Sequence, residues 1–404
     1  MSPQLGADVV IVGARCAGAT LAALLAGAGL RTIAVDRTHF PSSTVSTHTM
    51  HADALSVLRR TGVLGAVESL GAPRIREIVC DYGDFQIVGA PPPIDDIDHG
   101  LCVRRVDLDQ VLVEHARRRG AQVIEGVTAA PIVEDGRVTG VRAAGDGASY
   151  EINASLVVGA DGRTSTTARA VHAGYLHRQP SGWFLWFGYF SDLEPRKMAA
   201  YELYFHGASF FYVFPTTGGH HVIGGEFSFQ EYPGLLVEGI DGLLRAFRGC
   251  DALRERLGDA RLVDGPFVLY RIESFRRVSV GPGWALVGDA SFFKDPCTGQ
   301  GMYDALRAAE LLAQLVVERS VSERPLDDLS DYALQSEREF GPWYRFTCRA
   351  ARAQPMSTER GRMLRAIASD RALTEAYLGI QNHTTNPDDF FAKRNVARLI
   401  GAHA

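Results

Sequence analysis

The chain has 404 residues and a formal net charge of −5, with 46% of it hydrophobic and 22% charged. This is the composition of an ordinary globular protein, with enough chain for about two or three cored domains. There is no bulk basic field, so nucleic acid is excluded as an expected partner. Residues 1–7 carry no Lys or Arg, which argues against a secretory leader. The longest uncharged apolar run, 16–30, is shorter than the ~18–20 residues of a spanning helix. The six cysteines form no CxxC pair and read as buried small residues in a reducing compartment. The expectations are a cytoplasmic protein with no transmembrane segment. No metal site is expected either, because His206, His220 and His221 have no ligand partner at a recognisable spacing.

Residues 8–12 form an apolar run that reads as a buried strand. The turn Gly13-Ala14-Arg15-Cys16-Ala17-Gly18 follows, then a small-residue helix over 19–28 closed by Gly29, then a strand over 32–35 ending at Asp36. This is the order of a βαβ dinucleotide-binding unit. Gly13 permits the tight turn, and Gly18 lets the helix lie close to the strand. The helix N-terminus faces a pyrophosphate, because its free N–H groups and dipole favour an anion. Asp36 is placed to accept from a ribose hydroxyl, with Arg37 beside it. Arg15 stands where the fingerprint has its second glycine; it is expected to exchange close backbone approach for a positive charge on the pyrophosphate.

A Ser/Thr-rich loop over 38–47 leads to His48, and a helix follows over 52–61. Residues 75–90 alternate like an edge hairpin. A helix runs from the Arg104-Arg105-Val106-Asp107-Leu108-Asp109 segment to about Arg119, and 122–125 is the next strand. Residues 129–158 form a meander with turns at Asp135-Gly136 and Gly145-Asp146-Gly147. Its last apolar run ends in Gly159-Ala160-Asp161-Gly162-Arg163. Four aromatic strands follow at 183–190, 200–205, 210–215 and 221–229, and helices at 240–247 and 253–257. Residues 267–273 read as one strand, and 284–287 as a buried strand running into Gly288-Asp289. Asp295-Pro296-Cys297-Thr298-Gly299-Gln300-Gly301 then opens a helix from Met302 to about Arg319. The remainder is mostly helical.

Three separated motifs, Gly13–Gly18 with Asp36, Asp161-Gly162, and Gly288-Asp289 with 295–301, resemble the FAD-dependent oxidoreductases of the para-hydroxybenzoate hydroxylase superfamily. The resemblance covers roughly 7–320 and includes the Arg-x-x-Leu-Asp helix start at 105–109. It implies an α/β fold: a Rossmann-like FAD-binding domain of the glutathione-reductase type (1–72, 98–165 and 272–320), an antiparallel β-sheet substrate domain (73–97 and 166–271), and a C-terminal helical segment (321–404). It also implies FAD contacts from Gly13, Arg15, Cys16, Ala17, Gly18, Asp36, Arg37, Arg105 or its neighbour Arg104, Val127, Asp161 and Gly162. Asp289 would bind ribityl or ribose hydroxyls. Pro296 and the backbone of Gly299, Gln300, Gly301 and Met302 would lie against the isoalloxazine.

The reaction expected from this resemblance is hydroxylation or epoxidation. NAD(P)H donates electrons, and oxygen activated at the flavin attacks an apolar, aromatic or conjugated small molecule. His48 is the candidate acid or base near the ring, and Tyr212 is the second catalytic candidate. Trp186, Phe210, Tyr212 and Phe214 are the candidate substrate wall. Reduction of carbon–carbon double bonds is the alternative, because 211–215 is similar to a segment of the geranylgeranyl reductases. A flavin-binding protein without turnover is the third reading. Halogenation is disfavoured, since Trp183-Phe184-Leu185-Trp186 has the wrong spacing and no lysine precedes Lys197. The C-terminal helices are expected either to cover the pocket or to form a homodimer face.

Overall fold

The computed structural model describes residues 4–396 apart from 47, 195 and 327–328. Residues 1–3 and 397–404, which the sequence reading assigned to the first domain and the C-terminal helical region, lie outside the described residues.

The first strand, Gln4–Val12, runs through the middle of a parallel sheet. It pairs with Thr32–Val35 on one side and with Ala148–Gly159 on the other; Gln122–Ile124 and Trp284–Leu286 extend the sheet outward. Val9, Val10 and Ile11 are completely buried, because this strand is covered on both faces. On one face the helix Cys16–Gly27 packs against the helices Arg105–Arg118 and Gly301–Val321. On the other, Val10 and Val12 meet Val138, Val141 and Ala143 from the meander.

A second sheet holds seven strands in the order Arg261–Leu269, Trp183–Ser191, His221–Ser228, Ser209–Pro215, Ala200–His206, Glu77–Asp81 and Gln86–Gly89. All neighbours are antiparallel except Ala200–His206 with Glu77–Asp81. The alternation of its strands divides the aromatic residues between two faces. Phe184, Trp186, Phe190, Phe211 and Phe227 pack on the far side against Leu243, Phe247 and Leu253 of two covering helices. Leu185, Phe187, Tyr189, Phe210, Tyr212 and Phe214 point the other way, toward Phe275, Phe293 and the segment around Cys297.

The stretch read as one strand over 267–273 is two. Arg261–Leu269 closes the edge of the large sheet, and Glu273–Arg277 joins a small sheet with Tyr175–Pro180 and Phe292–Phe293. Arg271 lies between them with φ of +53°, a left-handed turn that alternation alone does not reveal. The C-terminal helices Thr358–Ala368 and Arg371–Leu378 pack on the Gln86–Gly89 hairpin strand.

Candidate active site

A cavity of about 610 Å³ runs from the ends of the parallel strands to the second sheet. At one end lie Val35, Asp36, Arg37 and Val127–Ala129. Its middle is formed by Gly13, Arg15–Ala17, Arg105, Ala160–Arg163 and Asp289. Its far end is formed by His48, Thr49, Pro296, Gly299, Gly301 and Met302, with Leu185, Val268, Leu269 and Phe293 closing it.

The glycine turn is shaped by two contacts. Gly13 has φ of +100°, and a Cβ there would sit 2.4 Å from the Ala160 carbonyl oxygen. A Cβ on Gly18 would lie 1.8 Å from the carbonyl of Gly13, so helix and turn meet only because neither carries a side chain. Gly18 therefore acts by packing and does not itself line the cavity. The Asp36 carboxylate accepts from the Ala14 N–H at 2.7 Å and from the Thr38 N–H at 2.9 Å. It fixes the turn while still facing the cavity, with lone pairs left for a ribose.

Arg15 is held in a charge cluster. Its Nη1 donates to Asp109 Oδ2 at 2.7 Å and to the Ser42 carbonyl at 3.1 Å, and Nη2 donates to the Ser42 hydroxyl at 3.0 Å. Asp109 is completely buried and also accepts from Arg105 at 2.9 and 3.0 Å. Two guanidinium groups thus share one carboxylate and leave net positive charge beside the helix N-terminus. Burial opposes the charge on Arg105, but Asp109, Cys16 and Asp289 outweigh it and raise its pKa. Of the two candidate arginines, Arg105 lines the cavity. Arg104 turns the other way, with its guanidinium 4.0 Å from the Tyr189 ring centre and paired with Asp264. The strand-to-helix break at this point sends consecutive side chains to opposite sides, so the expectation is corrected to Arg105.

Asp161 lines the cavity, yet its carboxylate caps a short helix, accepting from the Thr166 N–H at 2.8 Å and the Thr167 N–H at 3.0 Å. Gly162, with φ of +77°, presents open space where a Cβ would be. Asp289 has no protein hydrogen-bond partner among the described residues, and burial pushes its pKa up to about 6 against the opposing pull of Arg105. At the far end Gly301 likewise faces open space. Gln300 does not line the cavity: its amide donates to the Ile380 carbonyl at 2.8 Å, and its oxygen accepts from Lys294 at 3.2 Å. Lys294 does line it and pairs with Asp304 at 2.9 Å; the sequence reading missed this lysine, which sits one residue before the Asp295-Pro296 motif.

His48 is 1% exposed and adopts φ of +66°, a conformation in which His is over-represented and which often marks functional sites. Its Nε2 hydrogen-bonds the Tyr189 hydroxyl, and the rings stack with centroids 5.6 Å apart. Nδ1 has no hydrogen-bond partner among the described residues. Burial, then Arg105 and Arg104, hold its pKa well below the ordinary histidine value, so the imidazole is neutral.

The candidate substrate wall divides. Phe210, Tyr212 and Phe214 lie on the face turned toward the cavity, behind its lining. Burial, followed by the charge of Glu226, raises the Tyr212 pKa far above its ordinary value. Trp186 is on the opposite face, in the cluster under the covering helices, and does not contribute to the wall. The period-two alternation put it one residue out of phase with Leu185, which does line the cavity.

The cavity fits a flavin dinucleotide. It runs from Asp36 to the Gly299–Met302 segment, has glycines open toward it at Gly162 and Gly301, carries Arg15 and Arg105 between them, and presents at Asp289 a carboxyl with no partner among the described residues. Residues 6–231 match the FAD binding domain family. The chain belongs to that family. It is a FAD-dependent oxidoreductase of the superfamily that its motifs resemble. Among its relatives is a 1H-pyrrole-2-carbonyl-[peptidyl-carrier protein] brominase of Pseudoalteromonas luteoviolacea, 25% identical over 78% of this chain and 79% of the relative. Another is digeranylgeranylglycerophospholipid reductase 2 of Methanopyrus kandleri, 25% identical over 90% of each chain. A third is a 12-dehydrotetracycline 5-monooxygenase/anhydrotetracycline 6-monooxygenase of Streptomyces rimosus, 28% identical over 43% of this chain and 34% of the relative. A flavoprotein/dehydrogenase structure from Cytophaga hutchinsonii superposes with a TM-score of 0.82 over 98% of each chain at 18% identity, a likeness of fold. Among the described residues of this flavoprotein, no helix is long and apolar enough to cross a membrane.

Proposed function

We propose that this flavoprotein is a monooxygenase of an apolar, aromatic or conjugated small molecule. One atom of dioxygen enters the substrate, the other leaves as water, and NAD(P)H supplies two electrons. FAD, when bound, supplies the redox and oxygen chemistry. The protein's residues bind, orient and exclude water. Asp36 would take the adenosine ribose, Gly13–Gly18 with Arg15 and Arg105 the pyrophosphate, and Asp289 the ribityl hydroxyls. Pro296 and the Gly299–Met302 backbone would flank the ring.

The observation that carries the reading is the aromatic face of the second sheet directed at the ring end, with a neutral, buried His48 at its edge. An apolar wall suits a flat, poorly solvated substrate and keeps water from the reacting centre. His48 Nδ1 is free to accept a proton from a substrate hydroxyl or to hold one through the other tautomer. Tyr189, hydrogen-bonded to Nε2 and overlaid by Arg104, orients the imidazole and can exchange a proton with it.

The second reading is reduction of a carbon–carbon double bond, favoured by the extent of the match to the digeranylgeranylglycerophospholipid reductase. The test is NADH and NADPH consumption in air over a substrate panel, with chloride and bromide present, and mass spectrometry of the products. A gain of one oxygen atom with matching oxygen uptake is the expected result. A gain of two hydrogens without oxygen uptake would replace the reading with reductase, and a halogenated product would replace it with halogenase.

A further inference from the structure

Glu226 is a carboxylic acid in the middle of the aromatic wall. It is 1% exposed. In register it stands opposite Leu185 on one neighbouring strand and Phe210 on the other, so all three share a face. Its Oε2 has no hydrogen-bond partner among the described residues. Burial, and then the charge of Asp295, raise its pKa well above the ordinary glutamate value, which favours the protonated form that donates a hydrogen bond.

Two further groups converge there. Tyr212, one strand over and diagonal to Glu226, is 3% exposed, and its hydroxyl has no hydrogen-bond partner among the described residues. That hydroxyl lies 2.4 Å from where a Cβ on Gly224 would stand, so the glycine in this strand makes room for it. Asp295, 1% exposed, leaves Oδ2 without a hydrogen-bond partner among the described residues, while Oδ1 accepts from the Cys297 N–H at 3.0 Å. The cavity ends against Leu185, Phe293 and Asp295. Cross-strand neighbours stand about 5 Å apart, so the end of the cavity is one side chain away from Glu226. An apolar residue at 226 would avoid the cost of burying an unpaired polar group beside Leu185 and Phe210. Three unsatisfied groups at one spot mark a place where a ligand completes the hydrogen bonds.

We propose that Glu226 and Tyr212 form a two-donor pocket for a neutral oxygen acceptor, a ketone or phenolic oxygen, on the apolar conjugated substrate, and that Asp295 beside them excludes a carboxylate. This deepens the monooxygenase reading by naming the polar handle of its substrate. Tyr212 becomes a substrate-orienting group, and Glu226 a specificity-determining one.

The experiment uses FAD-loaded protein with 2-naphthol and 2-naphthoate as probes, read by perturbation of the flavin absorption. The wild type should bind 2-naphthol at least tenfold more tightly than 2-naphthoate. Glu226→Gln keeps a donor and should hold naphthol affinity within about threefold, whereas Glu226→Leu should weaken it roughly tenfold. The infrared carboxylic-acid band lost in Glu226→Gln should shift when naphthol binds to the wild type. Equal binding of the two probes, no naphthol binding, or an unshifted band overturns the proposal. The last three readings need only the wild type and the isosteric variant, so they stand if Glu226→Leu fails to fold. None requires turnover, so probe selectivity without any oxygenated product would sink the monooxygenase reading and leave the pocket. Oxygenated product with no probe selectivity would do the reverse.

Discussion

Arg15 and Asp109, 94 residues apart in sequence, meet at 2.7 Å beside the N-terminus of the first helix. The arginine that replaces a fingerprint glycine is therefore half of an ion pair whose acidic partner is completely buried. Arg105 grips the same carboxylate, so the cluster carries net positive charge toward the cavity. Asp109→Ala should be the severe variant, because it leaves two arginines uncompensated: a loss of about 3–5 kcal/mol in denaturant unfolding. Arg15→Gly leaves Asp109 paired with Arg105 and should cost about 1 kcal/mol or less. If the cluster holds the pyrophosphate, Arg15→Gly should also flatten the salt dependence of FAD binding. An unchanged salt slope would mean that Arg15 only braces Asp109 and the 42–43 loop.

His48 offers a test through pH. A histidine with the ordinary pKa would gain its proton, and lose its role as acceptor, as pH falls through about 6.5. Here burial and two arginines push that transition well below the ordinary value. The turnover rate should stay level between about pH 6 and 7, with its acid limb displaced downward. His48→Ala should lower the rate on the order of a hundredfold with FAD content unchanged. Tyr189→Phe strands Nε2 and should lower it by a smaller factor. A rate that falls with an apparent pKa near 6.5 in the wild type would remove His48 from the proton path.

Asp289 predicts a pH dependence of cofactor binding. Its carboxyl has a pKa of about 6 in the FAD-free fold, raised by burial. Ribityl and ribose hydroxyls donate best to the ionised form, so binding at low pH must release a proton. FAD affinity should therefore rise as pH increases through about 6 and level off above it. Asp289→Asn should abolish that rise. Fluorescence quenching of FAD titrated with the apoprotein reads both curves; a wild-type curve as flat as the Asn curve would remove Asp289 from the binding set.

Local chemistry made the first βαβ unit legible, because strand, tight turn, helix and terminal acid are all coded within 8–36. The cavity-lining segment at 295–301 was legible for the same reason, Pro296, Gly299 and Gly301 all facing the cavity. What the sequence left open was pairing at a distance. Nothing local ties Arg15 to Asp109, or says that Arg104 and Arg105 diverge. Alternation showed that the aromatic strands have two faces without saying which face meets the cavity, and Trp186 was assigned to the wrong one. Glu226 escaped notice because a single acid in an alternating strand ordinarily points to solvent, and here both faces are covered.

The adjacent residues Leu185 and Trp186 should have opposite phenotypes. Leu185 lines the end of the cavity, whereas Trp186 packs under the helices of the far face. Leu185→Trp fills the end of the cavity, where the proposed substrate would sit. It should raise KM on the order of tenfold or more, keep FAD, and cost about 1–3 kcal/mol of overpacking. Trp186→Leu opens a void remote from the site and should cost about 2 kcal/mol with KM unchanged. Removal of its buried indole N–H, which has no hydrogen-bond partner among the described residues, offsets part of that cost. Steady-state kinetics with the substrate found in the panel, together with thermal unfolding, separate the two effects. If Trp186→Leu moved KM and Leu185→Trp did not, the substrate would have to approach from the helical side, and the site would have to be placed on the other face of the sheet.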